Sequence, residues 1–157
     1  MVIKLDQIDQ KILGELMRDA DQSLARIAER VGLSQTPCWK RIQRLRNAGA
    51  ITGRVAIVDP AMIGLGLVVF VEIEAPDHGA DWRGGFLSAV DAMPEVMEVF
   101  RMAGDIDYLL RVVVGDMAGY DAFYTRLTGA VRMKNVTSRF AMEKVRSRTV
   151  YPLASTA

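Results

Sequence analysis

The chain carries few of the residues from which a metal centre or a covalent crosslink is built. Its 157 residues include one Cys, Cys38, and one His, His78. A single Cys excludes an internal disulfide, and one Cys with one His falls short of a structural zinc site, so no metal is expected. No uncharged apolar run approaches the ~20 residues that cross a bilayer, and the opening MVIKLDQIDQK has no continuous apolar signal region. These absences lead to the expectation of a soluble, cytoplasmic protein. An excess of one charge is lacking too. The formal net charge is only +1, so bulk composition names no partner, while a hydrophobic share of 50% can fill one ordinary domain or two small ones.

The distribution of charge says more than its sum. Residues 1–59 hold ten Lys/Arg against seven Asp/Glu, a balance of +3, and residues 60–157 hold ten against twelve, a balance of −2. Texture changes at the same place. Helical periodicity gives way to long Val- and Ile-rich runs just after the turn signal Asp59-Pro60. Two units are expected, 1–60 and 61–157, joined near GRVAIVDPAMIGLG without a flexible linker or tandem repeat.

Three helices are expected in the first unit. LDQIDQKILGELMRD sets Leu5, Ile8, Ile12 and Leu16 on one face, with Asp6 as N-cap and Asp9 favourably placed in the first turn. SLARIAERV is capped by Ser23 and carries Leu24, Ile27, Ala28 and Val31 as its apolar stripe. Gly32 ends it in the left-handed conformation, with Leu33 folding back. Ser34 or Thr36 caps the third helix, and Pro37 suits its first turn. At about 100° per residue, Cys38, Ile42 and Leu45 fall together and face the other two helices, with Trp39 at the edge of that stripe. Thr36, Lys40, Arg41, Gln43 and Arg44 fall on the other side. Two capped helices joined by a Gly turn, the second basic on its outer face, match a helix-turn-helix whose recognition helix would enter the major groove of double-stranded DNA. Ser34, Gln35 and Thr36 at its opening, with Lys40, Arg41, Gln43 and Arg44, are the candidate contacts to phosphates and base edges. NAGAITGRVAIVD is expected to form a hairpin or wing that brings Arg54 to the DNA backbone. A basic helix face is also a common solvated surface, and charge alone does not separate the two readings.

The second unit alternates strand and helix. GLVVFVEIEA opposes Val69, Val71 and Ile73 to Phe70, Glu72 and Glu74, as a half-buried strand does. DWRGGFLSAVDAM spaces Trp82, Phe86, Val90 and Met93 for a helix stopped by Pro94. VMEVFRMAG and DYLLRVVVG are strands around the tight AGDID segment. MAGYDAFYTRLTGAV spaces Met117, Tyr120, Phe123 or Tyr124, and Leu127 for a second helix, and VTSRFAMEKV closes as a strand. The order βαββαβ implies a ferredoxin-like fold with both helices on one face of an antiparallel sheet. The whole chain is thus an α+β protein, a winged helix-turn-helix followed by a ferredoxin-like domain. A second copy is the simplest cover for the open sheet face, so a homodimer or a higher homo-oligomer is expected.

LDQIDQKILGEL, VGLSQTPCWKRIQRLRNAGAI, GLGLVVFVEI and AGDIDYLLRV, in this order and spacing, resemble the Lrp/AsnC family of transcription regulators over nearly the whole chain. Within it, TPCWKR, VAIVDPAMIGLGL, EVFRMAGDIDYLLRV, YDAFYTRL and VTSRFAMEKV are similar to the cysteine-responsive DecR-type branch, which controls cysteine desulfidation. The resemblance implies a DNA-binding regulator of amino-acid metabolism genes, dimeric or assembled into larger discs. Its sensing domain would bind a small amino-acid effector, cysteine in that branch, between subunits.

The family places its effector at the loop corresponding to Met102, Ala103, Gly104, Asp105, Ile106 and Asp107, with help from the last strand at Thr137 and Ser138. An amino acid is a zwitterion, so Asp105 would accept its ammonium and backbone N–H groups around Gly104 would meet its carboxylate. Ile106 stands where the family often has an aromatic residue. Taken without the resemblance, Gly-Asp between two strands is a turn, which Asp107 caps. Cys38 is expected to pack as a small hydrophobe. His78, in the polar turn PDHGAD, is expected in solvent, and no nucleophile or base accompanies it. Glu72 and Glu74 share one strand face and invite an acid–base reading, but solvation at a strand edge or a contact across a dimer accounts for them. No cofactor and no enzymatic activity are expected. An architectural DNA-binding protein without effector, and an enzyme acting on an amino acid, are the alternatives.

Overall fold

A computed structural model describes residues 3–153, in two compact units. The first opens with α1 (Gln7–Arg18), α2 (Leu24–Val31) and α3 (Gln35–Asn47). Local chemistry sets each boundary. Asp6 caps α1 and accepts from the Asp9 N–H at 2.8 Å, while the Asp9 carboxylate accepts from the Asp6 N–H at 3.1 Å. This reciprocal pair is a capping box built from two aspartates. Ser23 accepts from the Arg26 N–H, and Gly32 ends α2 at φ 75°, where a side chain would be strained. Ser34 occupies the N-cap position of α3, but neither its hydroxyl nor any other side chain caps the helix. Ile12, Leu13, Ile27, Ala28, Val31, Cys38, Ile42 and Leu45 form the core between the three helices. Each fully buried aliphatic side chain there contributes about 1.5–3 kcal/mol relative to exposure.

The expected wing does not form. From Thr52 to Val58 the chain has no regular structure, and Val55 and Ile57 stand 86% and 80% exposed. A hairpin needs a second segment to satisfy its ladder, and none pairs with this stretch among the described residues.

The second unit, Val58–Lys144, begins with a short 3₁₀ turn, Pro60–Ile63, capped by Asp59. It continues through β1 (Leu67–Glu74), α4 (Ala80–Asp91), β2 (Val96–Arg101), β3 (Tyr108–Val114), α5 (Met117–Ala130) and β4 (Asn135–Phe140). The strands lie in the order β2-β3-β1-β4, every neighbouring pair antiparallel, which is the ferredoxin-like arrangement expected from βαββαβ. Register follows the alternation of side chains. Val71 pairs with Leu110 and Ser138 on the helix-covered face, and Phe70 with Arg111 and Arg139 on the other. Val69, Val71, Ile73, Leu110 and Val112 meet Phe86, Val90, Tyr120, Phe123 and Leu127 of the helices in the core. Trp82 stacks on Phe86 at 5.1 Å and donates its indole N–H to the Arg132 carbonyl at 2.6 Å.

Two boundaries differ from the sequence-based expectation. β4 stops at Phe140 rather than running on to Val145. The chain from Val145 onward belongs to the first unit, not the second. There the Thr149 hydroxyl donates to the Met17 carbonyl of α1 at 2.7 Å, and Leu153 packs against the three-helix core. A few polar and apolar contacts of this kind leave no periodic trace in sequence.

Candidate nucleic-acid interface and effector loop

The outer side of α3 emerges from the packing of its inner side. Because Cys38, Ile42 and Leu45 are buried, residues about half a turn away must face solvent. Thr36, Lys40 and Asn47 are exposed and Gln43 is half-buried; Ser34, Gln35 and the half-exposed Trp39 flank them. Lys40 and Arg46 have no carboxylate partner among the described residues. Arg54 lies exposed in the irregular segment after α3, outside any wing.

Arg41 and Arg44 behave differently from the expectation of a free cationic face. Arg41 Nη1 donates to Asp6 Oδ2 at 2.6 Å and to Asp9 Oδ1 at 2.9 Å, and Arg44 Nη2 donates to Asp9 Oδ2. Asp9 itself is 0% exposed. The physical cause is geometric: on the helical wheel Arg41 lies only about 60° from the middle of the buried stripe, close enough to reach α1. The Arg41 hydrogen bond, with the Asp9 backbone N–H, holds the Asp6 carboxyl down at about 2, well below its ordinary 3.8. Helical spacing places Asp9 in the first turn but does not show its burial. The available signal is the spacing Asp6-x-x-Asp9 with two arginines three residues apart on α3.

Cys38 is fully buried, and desolvation raises its thiol pKa, which disfavours the reactive thiolate. That matches a packing role.

The loop between β2 and β3 closes through the Met102 N–H donating to the Asp107 carbonyl at 2.8 Å. Gly104 adopts φ 123°, a conformation that favours glycine, with open space where a Cβ would stand. Met102, Ala103, Gly104 and Asp105 are exposed, Ile106 half-buried, and the Asp105 carboxylate has no side-chain partner among the described residues. Asp107 is already committed. Its Oδ2 accepts from the Ala75 N–H at 2.7 Å, its Oδ1 stands 3.4 Å from His78 Nδ1, and its own N–H donates to the Ile73 carbonyl. It ties the loop to the end of β1, in keeping with the capping alternative. His78 is exposed, as expected, yet faces this carboxylate, which the sequence does not indicate.

Thr137 and Ser138 are not brought together with the loop. As neighbours on β4 they point to opposite faces. The Ser138 hydroxyl hydrogen-bonds that of Tyr120 in a cavity of about 290 Å³ lined by Tyr124, Val136 and Phe140. The cavity beside Asp107, walled by Trp82, Arg101 and Tyr108, measures about 30 Å³, room for a water rather than an amino acid. Glu72 is held below its ordinary range by a bidentate pairing with Arg139, and Glu74 by Asn135 and Lys134, so neither is poised as an acid or base.

Comparison with known proteins bears on both regions. Residues 5–46 match the AsnC-type helix-turn-helix domain, and residues 68–151 match the Lrp/AsnC ligand binding domain. The chain is 48% identical over 150 residues to the DNA-binding transcriptional activator DecR of Escherichia coli K12, covering 95% of this chain and 99% of that one. Among solved structures it is similar to an AsnC family transcriptional regulator from Agrobacterium tumefaciens, with TM-score 0.90 and 45% identity over 94% of this chain and 97% of the other. A Neisseria meningitidis transcriptional regulator solved as its L-Met complex superposes with TM-score 0.90 at 30% identity, over 95% and 97% of the two chains.

Proposed function

The chain belongs to the Lrp/AsnC family, a DNA-binding transcriptional regulator with an amino-acid-binding domain, and on that premise we propose that it is a cytoplasmic, sequence-specific regulator of amino-acid metabolism genes whose effector is a small amino acid, cysteine first among the candidates. The observation that carries the DNA half is the face formed by exposed Thr36 and Lys40 with half-buried Gln43, opposite the buried Cys38, Ile42 and Leu45. Such a face can offer phosphates a cation and base edges an amide donor and acceptor.

The effector half rests on the β2–β3 loop. Asp105 offers an acceptor for an ammonium, and the open backbone at Gly104 offers N–H groups for a carboxylate. The cavity beside Asp107, at about 30 Å³, is too small for an amino acid, which supports a loop site completed by a second copy in a homodimer or higher homo-oligomer. Cysteine is put first by the motif resemblance to the cysteine-responsive branch, and the L-Met complex of the Neisseria regulator supports an amino acid as the ligand class.

A thermal-shift screen of the twenty amino acids on wild-type protein and on Asp105→Ala tests this. A ligand present at about a hundredfold over its Kd stabilises the folded state by about 2.7 kcal/mol. Cysteine is expected to raise the melting temperature of wild type and to lose that effect in Asp105→Ala, whose own melting temperature stays unchanged. An undiminished shift in the variant places the site elsewhere, and no shift with any amino acid favours an architectural DNA-binding protein.

A further inference from the structure

The four basic residues of α3 do not share one role. Building on the DNA-binding reading, we infer that Asp6, Asp9, Arg41 and Arg44 form a neutral clamp that positions the recognition helix, and that DNA is read by the arc Thr36, Lys40, Gln43 and Asn47.

A carboxylate removed from water is tolerated only when donors surround it. Asp9 is fully buried and accepts from the Asp6 N–H, Arg41 and Arg44, one donor from the N-cap of its own helix and two from α3. The guanidiniums reach it from about 60° and about 120° around α3 from the buried stripe, both on the side turned to α1. Asp6 joins through Arg41, so two carboxylates balance two guanidiniums. The cluster presents no net charge to a phosphate. It also fixes the rotation of α3 about its axis, because turning the helix pulls both arginines off Asp9. Apolar packing at Cys38, Ile42 and Leu45 resists such a turn less specifically, since it is non-directional. The cations left for DNA on this helix are Lys40 and Arg46, which lack carboxylate partners among the described residues. Asp9, Arg41 and Arg44 are thus positioning residues. They never touch the bases, yet determine which bases Gln43 and Lys40 meet.

The test uses the full-length protein, a duplex selected by the wild type from a randomised pool, and a scrambled duplex of equal length. Binding to each is followed by fluorescence anisotropy across a NaCl series. Lys40→Gln is expected to weaken binding to both duplexes and to flatten the slope of log Kobs against log [NaCl] by about 0.9 for each phosphate that is no longer neutralised. Arg44→Gln and Asp9→Asn are each expected to lose about tenfold or more of the discrimination between the selected and the scrambled duplex, and the charge-balanced Asp9→Asn/Arg44→Gln is expected to do so at the wild-type slope and affinity on the scrambled one. If Arg44→Gln does not fold, this paired variant, in which amide meets amide, replaces it. A slope reduced by the paired variant as much as by Lys40→Gln makes Arg44 a phosphate contact and overturns the inference while leaving DNA binding intact. Undiminished discrimination in Asp9→Asn overturns it too. A wild type that binds neither duplex rejects the DNA-binding reading itself.

Discussion

Asp6 and Asp9 differ by one helical turn and by almost everything else. Asp9 is sealed, whereas Asp6 is half-exposed and strongly acidified by the Arg41 hydrogen bond. A carboxyl whose folded-state pKa is depressed stabilises the fold at pH values above its unfolded pKa, and that contribution disappears as pH falls through the folded value. For Asp6 the window runs from about 3.8 down to about 2. The Asp6→Asn variant is therefore expected to be less stable than wild type at pH 5 and above, with the gap closing as pH drops to 2. Solvent screening keeps the gap modest. Chemical denaturation at fixed pH values measures it, and a gap independent of pH contradicts a contribution from the Asp6 charge. The contrast between Asp105 and Asp107 follows the same logic. One carboxylate, Asp107, holds the loop to Ala75, and the other stands unpaired among the described residues, where a cation could meet it.

The helices and strands are legible in sequence to the extent that burial is periodic. α1, α2 and α3 announce themselves through stripes at helical spacing and through Asp6, Ser23 and Gly32 at their ends. β1 does so through strict alternation, and Pro94 marks the stop after α4. Features that depend on single long-range contacts are not legible. The β-rich look of GRVAIVD suggests a wing, but strand propensity without a pairing partner leaves Val55 and Ile57 in solvent. The run RFAMEKV shares that composition, yet the strand ends at Phe140. The wheel sets Arg41 about 60° from the buried stripe, but it does not show that Arg41 and Arg44 meet Asp9, because a helical wheel gives direction and not partner. For α3 itself, the buried stripe is the dominant stabilising term. Leu45, fully buried among Ile12, Ile27 and Ile42, is expected to cost about 2–5 kcal/mol when replaced by alanine. Urea unfolding of Leu45→Ala checks this, and a loss below about 1 kcal/mol contradicts the packing described for the three-helix core.

At the scale of the whole molecule, one surface remains to be covered. The sheet face away from α4 and α5 carries Phe70, Leu109 and Phe100 among the ion pairs Glu72–Arg139 and Glu98–Arg111. A face of this mixed character suits a second copy of the chain, which supports the proposed homodimer. A dimer would present two recognition helices to half-sites separated by one helical turn of DNA or a multiple of it. An effector bound at the β2–β3 loops would alter DNA affinity only by as much as its own affinity differs between the DNA-competent and DNA-incompetent arrangements. All of this depends on the outer arc of α3 meeting the duplex, and Lys40 lies on that arc, nearly opposite the buried stripe, with no internal partner among the described residues. The most direct measurement is the affinity of full-length Lys40→Glu for the wild-type-selected duplex, beside its melting temperature and oligomeric state. A loss on the order of a hundredfold is predicted, at unchanged fold and assembly. Wild-type affinity in a folded Lys40→Glu protein would contradict a DNA-reading role for this face of α3.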